Sequence, residues 1–246
     1  MDHLTALILA AGKGTRMESE LPKVLHKCNG KPMVRHVIEA ASKAGADRIV
    51  VIAGYKSEEV HAELKDEVLY AEQTEQLGTG HAVLCAKELL EDEGTTMILC
   101  GDTPLVTAET LNKLEAAHIK EGNAVTVLSA ILEDPTGYGR IIRDTEGHFL
   151  KITEHKDCTE EERKTREINA GMYLYDTAML KESLAKLTND NAQGEYYLTD
   201  TIELIKAAGG RVDAMPVDDI NDILGVNTKA QLLEAEKIMQ ERTAGN

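Results

Sequence analysis

The sequence predicts an α/β fold: a mostly parallel sheet covered by helices on both faces, with a smaller antiparallel β excursion. Three observations lead there. Through the first hundred residues, short apolar runs alternate with segments of helical period. Strands separated by helices join in parallel through right-handed crossovers, which put helices on both faces of the sheet. Beyond residue 121 the helical intervals give way to longer strand-like runs punctuated by turns. Finally, 246 residues, 42% hydrophobic and 28% charged, can bury a sizeable core, while the apolar runs are too short to span a bilayer.

Taken in order, "TALILA" is a buried strand. "KPMVRHVIEAASKAG" follows as a helix with Met33, Val34, Val37, Ile38 and Ala41 on one face. Pro32 suits its first turn and Gly45 its end. Then come strand "DRIVVIAG", helix "SEEVHAELK", strand "EVLYAEQ", helix "TGHAVLCAKELLED", strand "TTMILCG" and a helix near 107–121. "NAVTVLSAILED", "YGRIIRD", "HFLKITEHKD" and "NAGMYLYD" are expected as longer, more antiparallel strands, with turns at Gly137 and "TEG". Helices near 176–187 and 199–208, a strand "RVDAMPV" and a helix near 228–241 close the chain. No Pro/Gly/Ser linker, low-complexity tract or hexapeptide repeat interrupts it. The expectation is one domain over 1–227, with an alternating α/β portion at 1–121 and a substrate-side β excursion at 122–227, then a C-terminal helix and tail at 228–246. Such a Rossmann-like sheet binds ligands beyond the carboxyl ends of its strands.

Charge and composition exclude several partners. Forty-three acidic residues against 27 basic ones give a formal charge of −16, a surface that repels nucleic-acid phosphates. One Phe, no Trp and seven Tyr leave little for stacking bases. Cys28, Cys85, Cys100 and Cys158 form no CxxC pair, so buried free thiols are expected rather than zinc or disulfides. Met1 leads almost directly into the first strand, which leaves no room for a secretory signal. The expected location is cytoplasmic, with neither membrane nor nucleic acid as partner.

Against that acidic background the loop "AAGKGTRMESELPKVL" stands out for Lys13, Arg16 and Lys23. It lacks the GxxxxGK[ST] spacing, and no third glycine completes a GxGxxG. It is either a tight turn or a cradle for an anion. Gly12 and Gly14 let backbone N–H groups approach phosphate, and Thr15 adds a hydroxyl. Arg16 offers a planar fork of donors, and Pro22 stiffens the segment presenting Lys23. Asp102, directly after "MILCG", either caps a turn or holds Mg²⁺ against phosphate oxygens. In "AEQTEQLGTGHA", Gln73 offers a donor and an acceptor side by side, suited to a nucleobase edge or to ordinary surface solvation. Gly78 permits close approach to a flat ligand, and Thr79 is expected to cap the next helix. His81 and His155 read as structural or surface groups.

In sequence order, "LILAAGKGTRM…LPKVL", "EQTEQLGTGHA", "GDTPL", "YGRI", "TEHKD", "EINAGMY", "NAQGEYYLTD" and "GVN" resemble the sugar nucleotidyltransferases. Within that group the pattern is similar to the uridyltransferase half of the bifunctional N-acetylglucosamine-1-phosphate uridyltransferase/glucosamine-1-phosphate acetyltransferases, the GlmU type. The likeness covers nearly the whole chain and implies the nucleotide-diphospho-sugar transferase fold, with the β excursion on the sugar side. It implies that Leu9, Ala10, Ala11, Gly12, Gln73, Gly78 and Thr79 cradle uridine. Gly14, Thr15 and Gly101 would be substrate-binding, Lys23 would contact phosphate, and Arg16 would meet departing pyrophosphate. Gly139, Glu154 and Asn169 would hold the acetamido sugar, and Asp102 with Asn227 would coordinate Mg²⁺.

The implied reaction is UTP plus N-acetylglucosamine-1-phosphate giving UDP-N-acetylglucosamine, for cell-wall peptidoglycan synthesis, and pyrophosphate. The sugar phosphate is already an anionic nucleophile, in keeping with a sequence that offers no Ser/His/Asp or Cys/His constellation. The alternatives are transfer of another nucleotide, use of another sugar phosphate, or a catalytically silent nucleotide-sugar sensor. Full-length members of the family continue into a β-helix of hexapeptide repeats that acetylates glucosamine-1-phosphate and trimerises. This chain ends in "EKIMQERTAGN", as a truncated form or a stand-alone relative, so acetyl transfer and the trimer are not carried over.

Overall fold

β1 (Leu4–Ala10) is an interior strand of the sheet. Its side chains alternate between two apolar layers: Leu4, Ala6, Ile8 and Ala10 enter one, while Leu7 enters the other. Such two-sided burial is what a central parallel strand requires. The computed structural model describes residues 3–244. After β1 the chain makes two 3₁₀ turns, Thr15–Met17 and Lys23–Leu25, and a small hairpin of β2 (Lys27–Cys28) and β3 (Lys31–Pro32). It then runs through α1 (Met33–Lys43), β4 (Arg48–Ala53), α2 (Ser57–Leu64), β5 (Leu69–Glu72), α3 (Thr79–Cys85), β6 (Thr95–Cys100) and α4 (Ala108–Glu121).

The second half supplies β7 (Val125–Ile131), β8 (Arg140–Arg143), β9 (Phe149–Thr153) and β10 (Glu167–Asp176). These are followed by α5 (Thr177–Leu184), α6 (Asp200–Ala207), β11 (Val212–Pro216) and α7 (Lys229–Ala244). The sheet order is β11-β7-β10-β6-β1-β4-β5, with the antiparallel β8–β9 pair attached through β10. β1 pairs in parallel with β4 and β6, β5 with β4, and β11 with β7; β10 runs antiparallel to both neighbours. The fold is therefore the mixed, mostly parallel α/β sheet expected, flanked by helices.

Val34, Val37 and Ala41 of α1, Val60 and Leu64 of α2, and Leu111 and Leu114 of α4 fill one layer. Ala82 and Val83 of α3, Leu180 and Leu184 of α5, and Ile202 and Ile205 of α6 fill the other. A third cluster lies outside the sheet, where Ala235 of α7 packs on Met17, Cys28, Met33, Leu105 and Val226. Among the described residues no helix is long and apolar enough to cross a membrane.

Several elements are shorter than the sequence suggests. The helix expected over "TGHAVLCAKELLED" stops at Cys85 and tightens into a 3₁₀ turn, with Leu89 N–H donating to Ala86 O (2.9 Å) and Leu90 N–H to Lys87 O (3.3 Å). That tightening turns Leu90 into the core. The strand expected over "HFLKITEHKD" ends at Thr153, and Asp157 N–H closes a turn on Glu154 O (2.9 Å). Thr79 is the first residue of α3 rather than its cap; Gly78 holds the cap position at φ 111°, and the Thr79 hydroxyl accepts from Leu198 N–H (3.2 Å).

Candidate active site

The pairing pattern brings one set of loops to a single edge. β1, β4, β5 and β6 are mutually parallel, so the loops leaving Ala10, Ala53, Glu72 and Cys100 emerge together. β10 runs the other way, and Tyr173 stands opposite Ile98, so its beginning, with Asn169 and Gly171, reaches the same edge. β7 and β11 also end there, since Ser129 pairs with both Asn169 and Pro216. The segment after β11 carries Asn227.

At that edge lies a cleft of about 350 Å³. Leu9, Ala10, Ala11 and Gly12 form its floor, Gln73, Gly78 and Thr79 one wall, and Lys23 and Asp102 its charged end. Cys100 and Glu195 also line it. Burial, reinforced by Asp102 and opposed by Lys23, pushes the Cys100 thiol up to about 12, so it is a neutral lining group.

The charged end is a hydrogen-bonded cluster. Lys23 Nζ forms an ion pair with Asp102 Oδ2 and donates to Asn227 Oδ1 at 3.0 Å. Arg16 donates a guanidinium N–H to the same Asn227 oxygen at 2.9 Å. Asp102 O accepts from Val226 N–H (2.8 Å), which ties the β6 loop to the segment bearing Asn227. Four residues spread over more than two hundred positions therefore meet through three local devices. Pro22 opens the turn that presents Lys23, β6 delivers Asp102, and Thr228 and Gln231 cap the helix that follows Asn227. Gly14 sits at φ 64°, and a Cβ there would lie 2.5 Å from Lys23 Cβ. Glycine is thus required both for the left-handed turn and for the seating of the lysine stem. Thr15 and Arg16 are exposed beside it, and Gly101 N–H donates to Leu9 O (2.9 Å).

Asp102 and Asn227 offer one carboxylate oxygen and one amide oxygen, both already turned to a cation, the Lys23 ammonium. Hard oxygens in that number suit Mg²⁺, which takes few protein ligands and fills its shell with water and phosphate. Among the described residues no three His, Cys, Asp or Glu side chains converge as a metal cage.

A second group stands beside the cleft. Asn169 N–H donates to Gly139 O (2.9 Å), and a Cβ on Gly139 would lie 3.3 Å from Glu154 Oε2, so Gly139, Glu154 and Asn169 are neighbours. Glu154 lines a separate hollow of about 270 Å³ with Asp157, Tyr197 and Thr199. Burial raises its carboxyl pKa, partly opposed by the Thr199 hydroxyl, which donates to Oε1 at 3.1 Å. Asn169 is spent on its own bulge: Nδ2 donates to Tyr173 OH (2.7 Å) and Oδ1 accepts from Gly171 N–H (2.9 Å). Burial, with the charge of Asp102, raises the pKa of the Tyr138 phenol, next to Gly139 in the chain.

Sequence reasoning passed over three features. Glu195 comes from "NAQGEYYLTD", a segment quoted only for the family resemblance and given no residue role. Gln73 does not offer both halves of its amide, because Nε2 donates to Gly78 O at 2.9 Å. His81 takes the structural reading of the two, in a pairing that was not foreseen: its Nδ1 lies 3.1 Å from the same Nε2. The only available hint was their spacing across "QTEQLGTGH".

Comparison with known proteins shows the family. The family model described as nucleotidyl transferase matches residues 5–237. The chain is 55% identical over 242 residues to the bifunctional protein GlmU of Caldanaerobacter subterraneus, covering 98% of this chain and 53% of that protein. It is 52% identical to the bifunctional protein GlmU of Geobacillus thermodenitrificans, covering 96% and 52% respectively. It thus spans about half the length of the curated relatives it matches. A solved UDP-glucose pyrophosphorylase complexed with UDP-glucose superposes with a TM-score of 0.78, at 19% identity and over 98% of this chain and 99% of that one, which is a likeness of fold. With the family model spanning nearly all of it, the chain belongs to the nucleotidyl transferase family.

Proposed function

We propose that this chain transfers UMP from UTP to N-acetylglucosamine-1-phosphate, forming UDP-N-acetylglucosamine and releasing pyrophosphate. The observation that carries the reading is the hydrogen-bonded chain Arg16–Asn227–Lys23–Asp102, whose Lys23 and Asp102 line the end of one cleft. Two cations beside a carboxylate–amide pair suit a polyphosphate and its metal better than a neutral ligand. The names of the relatives, bifunctional protein GlmU, point the same way.

Residues 1–121 then hold the nucleotide and residues 122–227 the sugar. Leu9 to Gly12, Gln73, Gly78 and Thr79 border the uridine, and Gly14, Thr15 and Gly101 the phosphates. Gly139, Glu154 and Asn169 border the acetamido sugar, where the Glu154 carboxyl accepts hydroxyl hydrogens. A sugar-phosphate oxygen attacks the α-phosphorus and forms the new P–O bond. The bond from that phosphorus to the α–β bridging oxygen breaks, and its electron pair leaves with pyrophosphate. No proton has to be removed from the nucleophile, so the barrier is the approach of two anions and the charge gathering on the leaving group. Lys23 and Arg16 offset that charge in a site partly shielded from water, where fixed charges act strongly. Asp102 and Asn227 would hold Mg²⁺, which when bound supplies Lewis-acid charge to the phosphates.

The test is pyrophosphate release with UTP, CTP, GTP or dTTP against several sugar phosphates. UTP with N-acetylglucosamine-1-phosphate should be the fastest pair. Binding of UDP-N-acetylglucosamine with no turnover of any pair would sink the proposal in favour of a sensor.

A further inference from the structure

Gln73 is 5% exposed and lines the cleft. Its amide nitrogen carries two hydrogens. One goes to Gly78 O at 2.9 Å, and the other faces His81 Nδ1 at 3.1 Å. For that second bond His81 must accept at Nδ1, so its hydrogen resides on Nε2, which faces the Cys85 sulfur at 3.9 Å. Turning the amide by 180° would set its oxygen against two acceptors, the Gly78 carbonyl and the imidazole lone pair. The orientation is therefore locked from both sides. Gln73 Oε1 has no protein partner among the described residues and is not sealed from solvent, so it remains as an acceptor.

We propose that His81 is a positioning residue that holds the Gln73 amide with only its oxygen free, and so selects a base with an imide N–H, uracil, over cytosine. The inference rests on the nucleotidyl-transfer reading above. Uracil presents N3–H between two carbonyls; cytosine presents a lone pair at the same ring atom. An acceptor held in place pairs with the first and opposes the second, and a buried acceptor left without a donor is costly. An amide free to turn would tolerate either base.

The experiment measures kcat/KM for UTP and for CTP, with N-acetylglucosamine-1-phosphate and Mg²⁺, in wild type and in His81→Phe, His81→Ala and His81→Asn. Phe keeps a ring without an acceptor, and Asn restores an acceptor branching from Cγ as Nδ1 does. The UTP:CTP ratio should fall by about 10-fold in the Phe and Ala variants, the scale of one unpaired buried acceptor. In the Asn variant it should return to within about threefold of wild type. A second measurement needs no variant: ¹⁵N shifts of the wild-type imidazole should show the hydrogen of His81 on Nε2. An unchanged ratio in folded Phe and Ala variants, or a hydrogen on Nδ1, overturns the inference while wild-type turnover leaves the reaction standing. A wild-type protein that neither binds nor turns over UTP removes both.

Discussion

Lys23 is the residue on which the site turns. It touches Asp102 and Asn227 at once, and its stem is seated against Gly14. Replacing Lys23 with Ala should slow pyrophosphate release by roughly 100-fold, the scale for one charge-stabilising group. Gly14→Ala should approach the same defect by displacing the lysine, and should cost about 1 kcal/mol for a left-handed alanine. Steady-state rates with melting curves check both; a Gly14→Ala enzyme of normal rate would contradict the seating argument. Asp200 behaves differently. Burial, with Glu203, Glu154 and Asp157 nearby, lifts its pKa to about 6. A raised carboxyl binds its proton more tightly when folded, so its favourable contribution is present at low pH and is lost as pH climbs. The melting temperature of Asp200→Asn relative to wild type should therefore rise between about pH 4 and pH 6 and then level off. A difference independent of pH would refute the assignment. At this scale the sequence disclosed which residues carry charge and hydroxyls, but not which were already engaged. Nothing in "EQTEQLGTGHA" states that the Gln73 nitrogen is spent on Gly78 and His81, because that depends on how the loop closes.

Among the elements, α7 fastens the segment that carries Asn227. Thr228 and Gln231 form a reciprocal cap: Gln231 N–H donates to the Thr228 hydroxyl (3.2 Å), and Gln231 Oε1 accepts from the N–H groups of Asn227 (2.9 Å) and Thr228 (3.1 Å). Near its other end, Arg242 donates to Leu105 O (2.9 Å) and to Asp222 Oδ1 (2.6 Å). Asp222 is 3% exposed and also accepts from the hydroxyls of Thr107 and Thr110, where α4 begins. The helix is thus fastened beside both the Asn227 segment and the loop that follows Asp102. Arg242→Met should lose about 2 kcal/mol, the scale of a hydrogen bond to a charged group, or about 4–8 °C in a chain of this size. A melting temperature within about 1 °C of wild type would contradict the role given to this contact. The alternating strands and helices up to residue 121 were legible because period and length agree for each. Less legible were the short pieces. The β2–β3 hairpin has two residues per strand, too few for any period, and the end of α3 is set by the packing of Leu90 rather than by a breaker.

For the whole molecule, an acidic chain keeps its local positive charge where the sheet edge gathers it. The parallel register of β1, β4, β5 and β6 fixes the floor and one wall of the cleft, and the return of β10 and β11 to the same edge brings Asn169 and Asn227. Motif order alone could indicate that these segments belong together; their meeting depends on long-range pairing that no local spacing encodes. The central claim is that Arg16, Lys23, Asp102 and Asn227 act as one clamp on phosphate and metal. It is tested most directly by pyrophosphate release from UTP and N-acetylglucosamine-1-phosphate across a Mg²⁺ titration, in wild type and Asp102→Asn. Wild type should require Mg²⁺, and the variant should be slower by about 100-fold or more and need more Mg²⁺ to reach its own maximum. Wild-type product formation that survives excess EDTA, or an Asp102→Asn enzyme matching wild type at every Mg²⁺ concentration, would contradict it.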